Sequence, residues 1–220
     1  MSTILQLIGL LFPWSLRRRL LNLSSANVIH REARIGLSLV RCDRLELGRG
    51  VRIGHFNVIK GLSQLTMGES ASIGHWNWIS GYPLSGTARF HGVDRDPSLH
   101  VGDHSAITQH HRFDVSDRLE IGSFSIVAGY ATQILTHAIN VEASRQDVAP
   151  VTIGSYSFIG TRCVILPGSG FPSRSVLAAG AVLASTFSDE YVLYGGVPAK
   201  TIKTLPEDAA FFSRSSGHVD

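Results

Sequence analysis

The sequence predicts an all-β solenoid, a parallel β-helix built from six-residue units, and three observations carry that prediction. The first is a strict period of six from Ile153, where Ile153, Ile159, Ile165, Phe171, Leu177 and Leu183 are all large and apolar. The second is a small residue at the fifth place of each unit: Ser157, Cys163, Ser169, Ser175 and Ala181. The third is a near-copy at long range, Asp43-Arg44-Leu45-Glu46-Leu47-Gly48 returning as Asp117-Arg118-Leu119-Glu120-Ile121-Gly122. A period of six fits neither the 3.6-residue helix nor an alternating strand. It suits short strands joined by tight turns, with the large residue inside and the small one at a corner.

Aliphatic-Gly pairs at Leu47, Met67, Val101, Ile121 and Ile153 mark coil starts, 20, 34, 20 and 32 residues apart. Three units make 18, so a step of 20 is one three-sided coil with two residues added at a corner. The longer steps each hide an insertion, placed at 82–98 and 138–149. A first coil begins near Ile29, giving roughly seven coils up to Leu183. Coils touch only their neighbours, so the two ends need covers.

Three segments follow: 1–25 as an N-terminal amphipathic helix, 26–187 as the β-helix with its two insertions, and 188–220 as a C-terminal segment. Residues 3–22 carry the first helix. Residues 206–213 carry a short helix after Pro206, and the tail from Ser213 is expected to fray. In the first helix the apolar run Ile4 to Leu11 precedes Arg17-Arg18-Arg19, the reverse of a secretory signal. The run is too short to span a bilayer. Two readings stay open: a helix lying at a membrane interface, and a cap on the solenoid's open end. The expected location is cytoplasmic, with a peripheral contact at the inner face of the membrane if the helix binds lipid.

With 220 residues and 44% hydrophobic content, one domain with a continuous core is expected. The net charge of +3 suits an anionic cofactor or membrane surface. No run of basic residues interleaved with aromatics argues for nucleic acid. The two cysteines, Cys42 and Cys163, do not require an oxidising compartment. Of the ten histidines, His137 stands apart. It is read at the fifth place of Gln133-Ile134-Leu135-Thr136-His137-Ala138, where a small residue is the rule, and it opens the insertion at 138–149.

From Thr136 onward the chain resembles the hexapeptide-repeat acyltransferases, in particular their sugar O-acetyltransferase branch. The residues that carry the resemblance are Thr136-His137, Pro150-Val151-Thr152-Ile153-Gly154, Phe158-Ile159-Gly160, Ile165-Leu166-Pro167-Gly168, Ala179-Gly180-Ala181-Val182 and Gly195-Gly196-Val197-Pro198-Ala199-Lys200. The resemblance implies a left-handed helix, against the usual right-handed crossover. It implies a homotrimer, with acetyl-CoA as donor and a sugar or glycan hydroxyl as acceptor, in the biosynthesis of polysaccharides or lipid-linked saccharides. It implies His137 as general base, because an imidazole titrates near working pH. The backbone N–H of Thr161 is then the donor to the developing oxyanion. Phe158, Gly160, Thr161 and Ala179 would line the pantetheine arm between subunits. Arg162, Lys200 or Lys203 would meet a coenzyme phosphate, since Ala184-Ser185 replaces the family's frequent Thr-Lys. His111 and Asp114, on the coil below, are the acceptor candidates. The group orienting His137 stays open between Asp114, Asp117, Glu142 and a backbone carbonyl.

Two rivals share the fold. A zinc enzyme of the carbonic-anhydrase type needs three His ligands on stacked coils, and Glu142 stands five residues after His137 where a second His is required. No metal site is therefore assigned. A non-catalytic scaffold is the other. Metal analysis tests the first and acetyl-CoA binding the second.

Overall fold

The computed structural model describes residues 12–24, 26–84, 90, 92–217 and 219. Residues 3–11 of the expected N-terminal helix, and residues 85–89 and 91 of the first insertion, lie outside the described residues. The chain winds as a left-handed parallel β-helix with three flat faces. The first face stacks strands such as Arg34–Ile35, Arg52–Ile53, Ser72–Ile73 and Phe158–Ile159 in parallel register. The second stacks Trp78–Ser80, Arg112–Asp114, Gln133–Leu135, Val164–Ile165 and Val182–Leu183. The third stacks Val28–Ile29 through Leu119–Ile121 and Val151–Ile153 to Gly170–Phe171.

Seven complete coils run from Ile29 to Leu183. Each sends one large residue inward from each face, as with Val101, Ile107 and Phe113. Inward residues stack on their own kind one coil on, and each such side chain contributes about 1.5–3 kcal/mol by leaving water. The two extra residues of the 20-residue coils lie between the second and third faces: Ile59 to Met67 takes eight residues, Ile165 to Phe171 six.

The small corner residues do more than save space. Ser105, Ser125 and Ser157 form a ladder in which the Oγ of Ser105 and of Ser125 accepts the next coil's N–H and all three hydroxyls donate to a carbonyl (2.7–3.0 Å). At the corner between the first and second faces the equivalent ladder is Ser38, Asn57, Asn77, His111, Thr132 and Cys163. A tight backbone corner buries N–H and C=O groups that no strand pairs, and these side chains satisfy them.

The helix α1, Trp14–Leu21, covers the first coil. Arg17 is buried and donates through Nη1 to Gly36 O and through Nη2 to Ser38 O, both at 2.8 Å, while Trp14 Nε1 donates to Ala33 O at 2.8 Å. These are carbonyls of the first coil, and among the described residues no coil lies beneath to take them. The helix therefore packs as a cap. Its outer side still exposes Leu16, Leu20 and Leu23. No helix among the described residues is long and apolar enough to cross a membrane.

At the other end, Val192–Gly195 pairs antiparallel with Lys200–Thr204. The expected helix over 206–213 is a single 3₁₀ turn, Ala210–Phe212. The tail after it is not frayed up to Gly217. It runs back along the solenoid, with Arg214 donating to Phe124 O and its guanidinium 3.9 Å from the Phe211 ring centroid. A cation over an aromatic face, added to the buried Phe212, fixes a segment that composition alone reads as loose.

Candidate active site

The second face ends at a corner where three coils bring Ser80, Asp114 and Leu135 into register. Two residues after Leu135 the chain leaves the solenoid as a hairpin, His137–Asn140 against Arg145–Val148. The corner itself is filled by Thr136, not by His137 as the repeat suggested. Thr136 is fully buried; its Oγ1 donates to Asp114 O (3.0 Å) and accepts from Asp117 N (2.9 Å). Val127 to Ile134 takes seven residues rather than six, so the inward place falls on Ile134 and the fifth place moves past His137 to Ala138. His137 is thus the root of the outward arm, anchored where Ala149 N donates to Thr136 O at 3.0 Å.

The imidazole Nδ1 lies 2.9 Å from Asp114 Oδ1, with the side chains 26% and 19% exposed. The distance is that of an ion pair, but the angle misses hydrogen-bond alignment. A carboxylate on Nδ1 favours the tautomer with its hydrogen there and leaves Nε2 as the basic nitrogen. Asp114 also accepts from Ser116 N at 3.0 Å, which holds the carboxylate in place. Asp114, put forward both for the acceptor and among the groups that could orient His137, has its carboxylate against the ring.

Two aromatic rings that sequence reasoning missed enclose His137. Tyr82 and Phe90, from the first insertion, meet it edge-on at 6.0 and 5.9 Å between centroids. Phe90 is buried, and Arg95 lies over it at 4.6 Å while donating to Pro83 O (2.6 Å). Asp96 N donates to Asp117 Oδ1 at 2.9 Å, tying the insertion's end to the coil under the histidine. The available signal was two aromatics within a segment otherwise rich in Gly, Pro, Ser and Arg.

His111 does not belong to this site. It has no exposed surface and sits in the corner ladder, with Nδ1 accepting from Thr132 N (3.2 Å) and Nε2 against Thr108 Oγ1 (2.9 Å). Burial, then the neighbouring His110, pushes its pKa down to about 4. The unfolded value is near 6.5. A depressed histidine contributes stability in full above about pH 6.5 and loses it as pH falls toward 4. We expect roughly 3 kcal/mol of destabilisation between those limits from this group. Urea titrations at several pH values measure it. His111→Asn, which continues the Asn57–Asn77 run, should flatten that limb.

The coenzyme candidates lie elsewhere. Thr161 turns the corner at the start of the second face, and His137 leaves at its far end. The strands between them, Val164–Ile165 and Gln133–Leu135, are paired neighbours. One chain therefore holds the two groups at opposite edges of one face and does not bring them together. The backbone N–H of Thr161 meets no acceptor among the described residues, while its Oγ1 donates to Tyr130 O at 2.8 Å. Gly160 is buried against the next coil, where a Cβ would stand 2.6 Å from Ala179 N. Ala179, Arg162 and Lys200 are exposed. Arg162 lies 5.7 Å from the Tyr130 ring. Phe158 packs edge-on against Phe211 of the returning tail, at 5.9 Å.

Neither cysteine is a ready nucleophile. Burial, reinforced by Asp43, pushes the Cys42 thiol up to about 12, and burial raises that of Cys163. Among the described residues no three potential metal ligands converge.

No protein-family model matches the chain. Solved structures do. A Bacillus cereus protein described as an acetyltransferase is 15% identical over 79% of this chain and 87% of its own, with a TM-score of 0.56. A variant of the N-acyltransferase AntD from Bacillus cereus, solved with dTDP-4-amino-4,6-dideoxyglucose and coenzyme A, is 15% identical. It matches 87% of this chain and 90% of its own, with a TM-score of 0.52. The chain has the fold of the hexapeptide-repeat acyltransferases. A hexapeptide-repeat acetyltransferase of Vibrio cholerae is 26% identical over 50% of this chain, with a TM-score of 0.46. Only 64% of that protein is spanned.

Proposed function

We propose that the protein transfers an acetyl group from acetyl-CoA to a hydroxyl of a sugar or glycan, in the assembly of a polysaccharide or lipid-linked saccharide. The observation that carries this reading is the His137–Asp114 pair under an aromatic cover, on an acyltransferase fold. His137 Nε2 takes the hydroxyl proton as the oxygen attacks the thioester carbonyl. Asp114 stabilises the imidazolium that forms. The carbonyl oxygen becomes negative and is met by the Thr161 N–H of a neighbouring copy. Collapse breaks the C–S bond, and the imidazolium returns its proton to the departing thiolate.

Because His137 and Thr161 stand at opposite edges of one face, the site is completed between subunits, and we take the assembly as a homotrimer. The pantetheine arm then runs past Phe158, Gly160 and Ala179, with Arg162 and Lys200 as the exposed cations for the coenzyme phosphates. A thiol-release assay with acetyl-CoA across nucleotide sugars and oligosaccharides tests the reading. It fails if no acceptor raises release above hydrolysis.

The outer side of α1 joins Leu16, Leu20 and Leu23 to Arg18 and Arg19. This combination suits the surface of an anionic bilayer, which we propose as a peripheral contact at the cytoplasmic face. Co-sedimentation with vesicles containing phosphatidylglycerol is expected to fall at least about threefold in Leu16→Ser/Leu20→Ser. Unchanged binding sinks the idea.

A further inference from the structure

The corner between the second and third faces is widened by the two extra residues of the early coils. Gly61 and Gly81 stack there with almost no clearance. A Cβ on Gly61 (φ +75°) would stand 2.1 Å from Gly81 O, and one on Gly81 2.1 Å from Val115 O. Only glycine fits at these two positions, so the corner presents bare backbone there. Beside it is a cavity of about 460 Å³, bounded by Arg41, Asp43, Lys60, Gly61, Gly81 and Pro83. That volume is ordinary for a small-ligand site.

The cavity adjoins the histidine. Tyr82, between the lining residues Gly81 and Pro83, is the ring set edge-on against His137. Arg41, Lys60, Ser80 and Asp114 stand in one register column. Lys60 is thus two coil rises, roughly 10 Å, below Asp114. Its ammonium lies 5.0 Å from the Trp78 ring centroid and pairs with no carboxylate among the described residues. The lining holds two cations and one carboxylate, Asp43, for a net positive charge.

We propose that this cavity is the anion subsite of the acceptor: it holds a phosphate or carboxylate that the acceptor carries roughly two coil rises from the hydroxyl acylated at His137. The proposal rests on the acyl-transfer reading above. A flat backbone corner admits a ring or a diphosphate, Lys60 supplies the charge, and the spacing fixes which hydroxyl reaches Nε2. Neutral sugars lack the anchor and are poor acceptors.

Calorimetric titration of the full chain with inorganic pyrophosphate and with glucuronate reads the subsite without any acyl transfer. Binding of at least one is expected, weakened about tenfold in Lys60→Ala and retained in Lys60→Arg. Lys60 is exposed, so the fold tolerates both changes. Preference for pyrophosphate indicates a nucleotide-diphosphate sugar; preference for glucuronate indicates an acidic glycan. In the thiol-release assay, Lys60→Ala should raise KM for the anionic acceptor about tenfold, leaving kcat and the KM for acetyl-CoA within about twofold. The subsite is overturned if neither anion binds, if Lys60→Ala binds as well as wild type, or if neutral acceptors turn over as efficiently as anionic ones. Lys60-dependent anion binding with no thiol release from any acceptor leaves the anion site standing and overturns acyl transfer.

Discussion

Replacing His137 with alanine is expected to slow CoA release at least about a hundredfold at saturating acceptor, the loss typical of removing a general base. The substitution is mild for the fold. His137 roots an outward hairpin, and the buried corner beneath it belongs to Thr136. An unchanged unfolding midpoint alongside the lost rate separates chemistry from collapse. Asp114→Asn keeps the shape of the carboxylate but not its charge. It should lower kcat about tenfold and leave the KM for acetyl-CoA unchanged, because its contact is with the imidazole. Full turnover without the ring would remove His137 from the mechanism.

The largest effect on stability is expected from Asn77→Ala. Asn77 Nδ2 donates to Asn57 Oδ1 and Thr108 O, both at 3.0 Å, and its Oδ1 accepts from His111 N at 2.9 Å. Alanine would leave Thr108 O and His111 N without these partners, while Asn57 Oδ1 keeps the bond from the backbone N–H of residue 77 (2.9 Å). Each orphaned group costs about 1–3 kcal/mol, so we expect a total of about 2–6 kcal/mol. Urea unfolding measures it. A cost below about 1 kcal/mol would mean that the ladder relaxes around the gap.

The coils were readable because each inward position sees the same surroundings one turn later, so local pattern and packing agree. Ile153 to Leu183 shows this without interruption. The site was harder to read for the opposite reason. The seventh residue between Val127 and Ile134 moves the repeat's fifth place off His137, and only backbone pairing shows the slip. His111 looks like a ligand in a polar run; its burial depends on Asn77 below and Thr132 above, neither adjacent in sequence. Tyr82 and Phe90 reach His137 by folding back from an insertion whose composition says only that it is a loop. The division of His137 and Thr161 between two edges of one face follows from the parallel register of the strands between them.

Arg17 has a consequence beyond its own hydrogen bonds. A stack of parallel strands has no natural length: its last layer offers the same row of donors and acceptors that holds every layer within it. Left bare, that row would recruit further chains and grow as a fibre. A guanidinium placed across the carbonyls of Gly36 and Ser38 takes them with a geometry no incoming strand can copy, and at the opposite end the antiparallel turn through Pro198 reverses the chain. Each end of the stack thus carries a feature that works against edge-to-edge growth.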